Sequence, residues 1–307
     1  MSNDRVLEPD LKQDSSVTTP LPGPKGLEQI RESLRALTKA LPQPEDVSRQ
    51  DFNVDDIRLR LYKPNVSVAG PLLVFLHGGG WIQGDLDTHD AVCAWLAFSA
   101  GYPVLAVEYR LAPEHPFPAG LDDCDKAFSW AVANARTLGC DPARIAIGGE
   151  SAGGNLAAAV TLRRASRSES QPLFQLLIHP ATDLRGVAPS WREVQVAEIT
   201  LDALSVLRHL YLTKPEEIEN PYVSPYLASS HAALAPAIIL TAECDPLRDD
   251  GEFYALALAK AGVETTVQRL LGLSHGFMIR PITEPAIAAS YNLTGQLLQR
   301  YARLNGY

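Results

Sequence analysis

Five residues in the middle of the chain, Gly149-Glu150-Ser151-Ala152-Gly153, follow an aliphatic run and precede an alanine-rich stretch. A strand-to-helix turn this tight aims a serine hydroxyl into a cleft, and glycines serve where strand and helix nearly touch. Serine is a poor nucleophile until a base takes its proton, and that base must be held in one tautomer by an acid. Both partners stand downstream. Asp245 follows the apolar run 237–242, and His275 follows a run at 265–270, so each lies just beyond a strand end. Serine, then acid, then histidine is one of three familiar orders for serine hydrolysis.

Six other histidines compete for the role of base. His77 opens a glycine loop, His89 sits in a polar turn, His115 lies between Glu114 and Pro116, and His179 ends a strand. His209 falls on a helix-like stretch and His231 precedes an alanine run. Only His275 combines the right order, a post-strand loop and a following glycine. Asp249 and Asp250 read as the first turn of a helix, where carboxylates meet the positive end of the dipole, so Asp245 is the preferred acid. Glu150 adjoins the serine, but neighbouring side chains diverge at a sharp turn; its expected effect is on the local field.

A second constellation, His77-Gly78-Gly79-Gly80-Trp81, follows the apolar run 72–76. Attack on an ester makes an oxyanion, which needs backbone N–H groups that no side chain obstructs. Three glycines provide such a loop, and the N–H of Ala152 adds a further donor. A phosphate cradle would require a following Gly-Lys-Ser/Thr, which the chain lacks here.

The elements that must position these groups are legible as alternation. Runs at 72–76, 103–108, 144–148, 174–178, 236–241 and 265–270 read as buried strands, and 57–61 alternates apolar and basic residues as a strand with one buried face. Helices are predicted over 90–100, 117–138, 155–164, 249–261 and 284–304. Such alternation implies a parallel sheet covered by helices. Leu27, Ile30, Leu34, Leu37 and Leu41 mark an earlier helix that ends before Pro42. Residues 185–225 exceed the needs of a simple crossover, and their leucine-bearing centre at 201–212 reads as a lid over the carboxyl ends of the strands.

With 307 residues, 46% of them hydrophobic, the chain suits one large α/β domain. A formal charge of -9 opposes nucleic-acid and anionic-membrane partners and favours neutral substrates. The four cysteines form no C-x-x-C pair, which suggests neither zinc nor disulfides. Residues 1–20 lack a signal-peptide pattern, and no apolar run reaches the roughly 18 residues that span a bilayer, so a cytoplasmic protein is expected. The sequons at Asn65 and Asn292 read as chance matches.

These motifs together resemble the hormone-sensitive-lipase-like group of α/β-hydrolases. The resemblance runs from about Leu73 to the last helix, carried by 77–81, 109–115, 149–155, 245–249 and 275–277. It implies a mostly parallel eight-stranded sheet flanked by helices, with a helical cap from 1–50 and 185–225 on a core of 51–184 and 226–307. It implies Ser151 as nucleophile, Asp245 as acid, His275 as base, and Gly79, Gly80 and Ala152 as oxyanion donors, with Gly78 shaping the loop. Two positions depart from the group: Glu150 replaces its usual aspartate, and His179 stands where tyrosine is common. The expected activity is cofactor- and metal-independent hydrolysis of short- to medium-chain acyl esters. An amidase, formamidase or deacetylase could use the same machinery, while a binding protein on this fold would be expected to lose the histidine. A homodimer paired along the edge strand near Thr265 is a further expectation.

Overall fold

The computed structural model describes residues 21–66, 70–194 and 199–304. The part of the expected cap at 1–20, and its residues 195–198, lie outside them. An eight-stranded sheet runs β1 (Val47–Val54), β2 (Ile57–Pro64), β4 (Val104–Glu108), β3 (Leu72–Leu76), β5 (Ile145–Glu150), β6 (Gln175–Ile178), β7 (Ala237–Cys244) and β8 (Thr265–Ser274). Only the two pairings of β2 are antiparallel; the rest are parallel, so their carboxyl ends share one edge.

Strand β3 has every residue buried because both faces of the sheet are covered. Leu72, Val74 and Leu76 face a core shared with α3 (Ala119–Asn134), α4 (Ala152–Ser166) and α7 (Arg248–Lys260). Leu73 and Phe75 face the opposite core, beneath α2 (Asp90–Ala100) and α8 (Pro285–Leu304). Removing the ring of Phe75 from such a site would cost about 3–5 kcal/mol. Helices α2 and α8 pack closely: a Cβ at Gly295 would lie 2.3 Å from the carbonyl oxygen of Ser99.

The residue pattern marks seven strands, and the eighth implied by the resemblance is β1. Its polar run from Ser48 to Asp51 is exposed at the sheet margin, where β2 is its single ladder partner. Residues 47–50, within the expected cap segment 1–50, lie in this strand of the sheet. Helix α1 (Pro24–Lys39) buries Leu27 and Leu34 but leaves Ile30 and Leu37 exposed. The second expected cap segment holds a short α5 (Ser190–Glu193), then α6 (Leu201–Tyr211), and a 3-10 turn at Pro215–Glu219. Among the described residues no helix is long and apolar enough to cross a membrane.

Candidate active site

Strand β5 ends at Glu150 and α4 begins at Ala152, leaving Ser151 alone in the turn. Its backbone is held at φ 55°, ψ −118°, a conformation that costs about 1–3 kcal/mol outside glycine. The flanking glycines make this turn possible. A Cβ at Gly149 would lie 2.4 Å from the backbone of Gly153, and one at Gly153 would lie 2.0 Å from the carbonyl oxygen of Leu76. The Ser151 N–H donates to the carbonyl of Ile178, which anchors the turn to β6.

Asp245 directly follows β7, and His275 directly follows β8. The two loops bring them to Ser151 although 94 and 124 positions separate them from it in sequence. Ser151 Oγ lies 3.0 Å from His275 Nε2, and His275 Nδ1 lies 2.9 Å from Asp245 Oδ2. The other Asp245 oxygen accepts the N–H of Leu247 at 2.8 Å. Burial pushes the Asp245 carboxyl up, but the charge and hydrogen bond of His275 outweigh it and hold it below the usual carboxylate range. Acid, imidazole and hydroxyl thus stand in line for proton transfer.

The glycine loop faces them. Gly79 and Gly80 take φ of 113° and 61°, and a Cβ at Gly79 would lie 2.2 Å from the Gln83 carbonyl oxygen. Among the described residues no hydrogen bond occupies the N–H groups of Gly79, Gly80 or Ala152, which leaves them available to an oxyanion. The loop is braced from below: Tyr109 donates to the His77 carbonyl at 2.8 Å and stacks on the His77 ring at 4.2 Å. It is braced from outside by Arg31 of α1, whose guanidinium donates to the carbonyls of Ile82 and Ala112 and to Glu114. Trp81 stacks on Tyr211 of α6 at 4.5 Å.

A cavity of about 210 Å³ opens over Ser151, walled by Gly79, Gly80, Glu150 and His275. Its roof carries Leu34 of α1 and Leu204 and Leu207 of α6. Asp249 and Asp250 play no part in it: Asp249 accepts the Ser190 N–H, and Asp250 is buried beside Trp191.

Sequence reasoning missed two contributors, His89 and the depth of Glu150. His89 Nε2 donates to Glu150 Oε1 at 3.0 Å, and His179 Nε2 faces Glu150 Oε2 at 3.3 Å. Burial pushes the Glu150 carboxyl up, yet the His89 hydrogen bond and the surrounding imidazoles bring it down to about 2. No spacing in the chain signals a pairing across 61 positions. His179, Asp245 and His275 bring potential ligand atoms within 4.8 Å of one another. Two of these three, Asp245 and His275, are hydrogen-bonded to each other at 2.9 Å.

Residues 73–279 match the family defined by the alpha/beta hydrolase fold. The chain belongs to this family. Among its relatives is the carboxylic ester hydrolase LipN of Mycobacterium tuberculosis, 41% identical over 260 residues that cover 81% of this chain and 69% of LipN. The ethyl acetate hydrolase of Pseudomonas putida is 38% identical, with 81% of each chain covered. A solved structure of the hyperthermophilic esterase of Pyrobaculum calidifontis is 36% identical and superposes with a TM-score of 0.81 over 94% of this chain and 92% of that one. Within the α/β-hydrolases the chain falls in the hormone-sensitive-lipase-like group.

Proposed function

We propose that this α/β-hydrolase is a serine carboxylesterase acting on small-molecule esters with short to medium acyl chains. The observation that carries the reading is the line from Asp245 through His275 to Ser151, at 2.9 and 3.0 Å, on the floor of the cavity. His275 Nε2 takes the Ser151 proton as Oγ attacks the ester carbonyl. The resulting oxyanion accepts from the N–H groups of Gly79, Gly80 and Ala152, each such donor contributing about 2.7–4 kcal/mol. His275 returns the proton to the departing alcohol, leaving an acyl group on Ser151. Water then attacks that acyl group, gives its proton to His275, and releases the carboxylic acid and Ser151.

Cavity size supports the acyl preference, since about 210 Å³ lies below the roughly 300 Å³ at which pockets for drug-sized ligands begin. The names of the relatives, ethyl acetate hydrolase among them, agree with ester chemistry. Helices α1 and α6 are read as the cap, because their leucines roof the cavity. Pairing of a second copy along β8 belongs to the same reading. That strand is the sheet margin and leaves Val267 and Leu271 exposed, and light scattering that gave only monomer would refute it.

Hydrolysis of a p-nitrophenyl ester series by the parent protein and by Ser151→Ala tests the assignment. Loss of turnover in Ser151→Ala is expected; equal rates in both would remove Ser151 from the reaction.

A further inference from the structure

Glu150 and His179 have no place in the proton path from Ser151 to Asp245, yet both are buried against it. His179 is fully buried, with φ of 34°, and its ring lies 4.4 Å from that of His275 at 56°. Neither of its ring nitrogens has a hydrogen-bond partner among the described residues. A buried imidazole with unmet nitrogens does not favour folding, and an apolar ring would fill the same space without that penalty. The polarity of this ring therefore calls for an electrostatic account. Its Nε2 faces a carboxylate at 3.3 Å, and its body faces the base that gains charge during acyl transfer.

We propose that Glu150 and His179 are positioning residues that form a second acid–histidine pair beside His275 and stabilise the imidazolium it becomes. The inference rests on the Ser151–His275 reading given above. Taking a proton from Ser151 places positive charge on His275, between Asp245 on one side and the Glu150–His179 pair on another. In a water-poor site a fixed negative charge stabilises that imidazolium far more than it would in solvent. Burial and the neighbouring His275 keep His179 neutral by pushing it down to about 4, so it adds no opposing charge.

Other groups also pack around Glu150. His89 of α2 donates to it, with its Nδ1 held at 3.0 Å by Thr88 Oγ1. Cys93 of α2, Tyr109 after β4 and Tyr291 of α8 are kept protonated by burial. Burial likewise pushes His77 of the glycine loop down to about 4, and Asp245 stays ionised. His275 is the member of this cluster whose charge changes with each proton transfer.

The test is kcat/KM against pH for the parent, Glu150→Gln, Glu150→Asp and His179→Phe. Removing the charge in Glu150→Gln should move the acid limb down by about one pH unit and lower the plateau about 10-fold, with KM nearly unchanged. Glu150→Asp keeps the charge and should leave the limb near its parental position. His179→Phe removes the Nε2 that faces Glu150 Oε2 at 3.3 Å, letting the carboxylate turn away from His275, and should shift the limb in the same direction as Glu150→Gln but less, with the double variant no further displaced than Glu150→Gln. A lowered plateau with an unmoved limb in Glu150→Gln would mean a purely structural role and overturn the proposal. If Glu150→Gln does not fold, an unmoved limb in His179→Phe overturns it instead. Activity surviving in Ser151→Ala would sink the underlying reading, whereas an inactive Ser151→Ala beside an unmoved limb sinks this inference only.

Discussion

Replacing Gly78 by alanine adds a single methyl where the glycine loop presses on the buried carboxylate. Gly78 has no left-handed φ, so alanine meets no backbone strain there and the effect is one of space. The new Cβ would lie 1.9 Å from Glu150 Oε1, 2.5 Å from its Cδ and 2.9 Å from Oε2, against the roughly 3.5 Å of comfortable contact. The carboxylate is the end of a flexible side chain, and rotating it away relieves the clash. Rotation pulls Oε1 out of its 3.0 Å bond from His89, and a hydrogen bond to a charged group contributes about 1.5–3 kcal/mol. At an unfolding entropy of roughly 2.1 cal/mol/K per residue, a chain of this length should lose about 2–5 °C in Tm. Scanning calorimetry reads the shift, and p-nitrophenyl acetate turnover reads its effect on the adjoining Gly79 and Gly80. Glu150→Asp shortens the side chain by one methylene, so the double variant should lose less than the two single losses summed. A Gly78→Ala protein within about 1 °C of the parent would refute the crowding on which the estimate stands.

Asp245→Asn should lower kcat by about 10³–10⁴-fold with little change in KM, because the amide supports the wrong His275 tautomer; a loss under about tenfold would assign the acid elsewhere. Stability should fall on acidification in two stages. His77 and His179 are depressed from 6.5 to about 4, so the unfolded chain binds protons that the folded chain refuses between those values. Two such groups give a slope of about 3 kcal/mol per pH unit at most. Below about 4.5 Glu150, held at about 2, and Asp245 extend the loss, and urea midpoints that stayed level from pH 7 to 4 would contradict this. Leu207→Ala opens the cavity roof by room for about two of the four extra methylenes of an octanoate, which at about 0.8 kcal/mol each should raise the ratio of octanoate to butanoate kcat/KM by about tenfold; an unchanged ratio would remove Leu207 from the acyl wall.

The strands from β3 to β7 were legible because both of their faces are covered, which forces continuous apolar runs such as Leu72 to Leu76. Strand β1 was not, since its exposed position lets Ser48, Arg49, Gln50 and Asp51 stand where a central strand would need apolar residues. That Ser151, Asp245 and His275 meet was legible through their order and through the strand ends before them. Helix α6 was legible through its leucines, and Leu204 and Leu207 do line the cavity. The pairing of Glu150 with His89 and His179 left no trace in the sequence, because it depends on how β5, α2 and the end of β6 converge. A histidine in a polar turn looks the same whether it faces water or a buried carboxylate.

Arg31 ties the door to the trigger. Its guanidinium grips the carbonyls of Ile82 and Ala112, one of them two residues beyond Gly80, while its helix supplies Leu34 to the roof. One side chain therefore couples the placement of α1, and with it the Leu34 wall of the cavity, to the loop that holds Gly79 and Gly80.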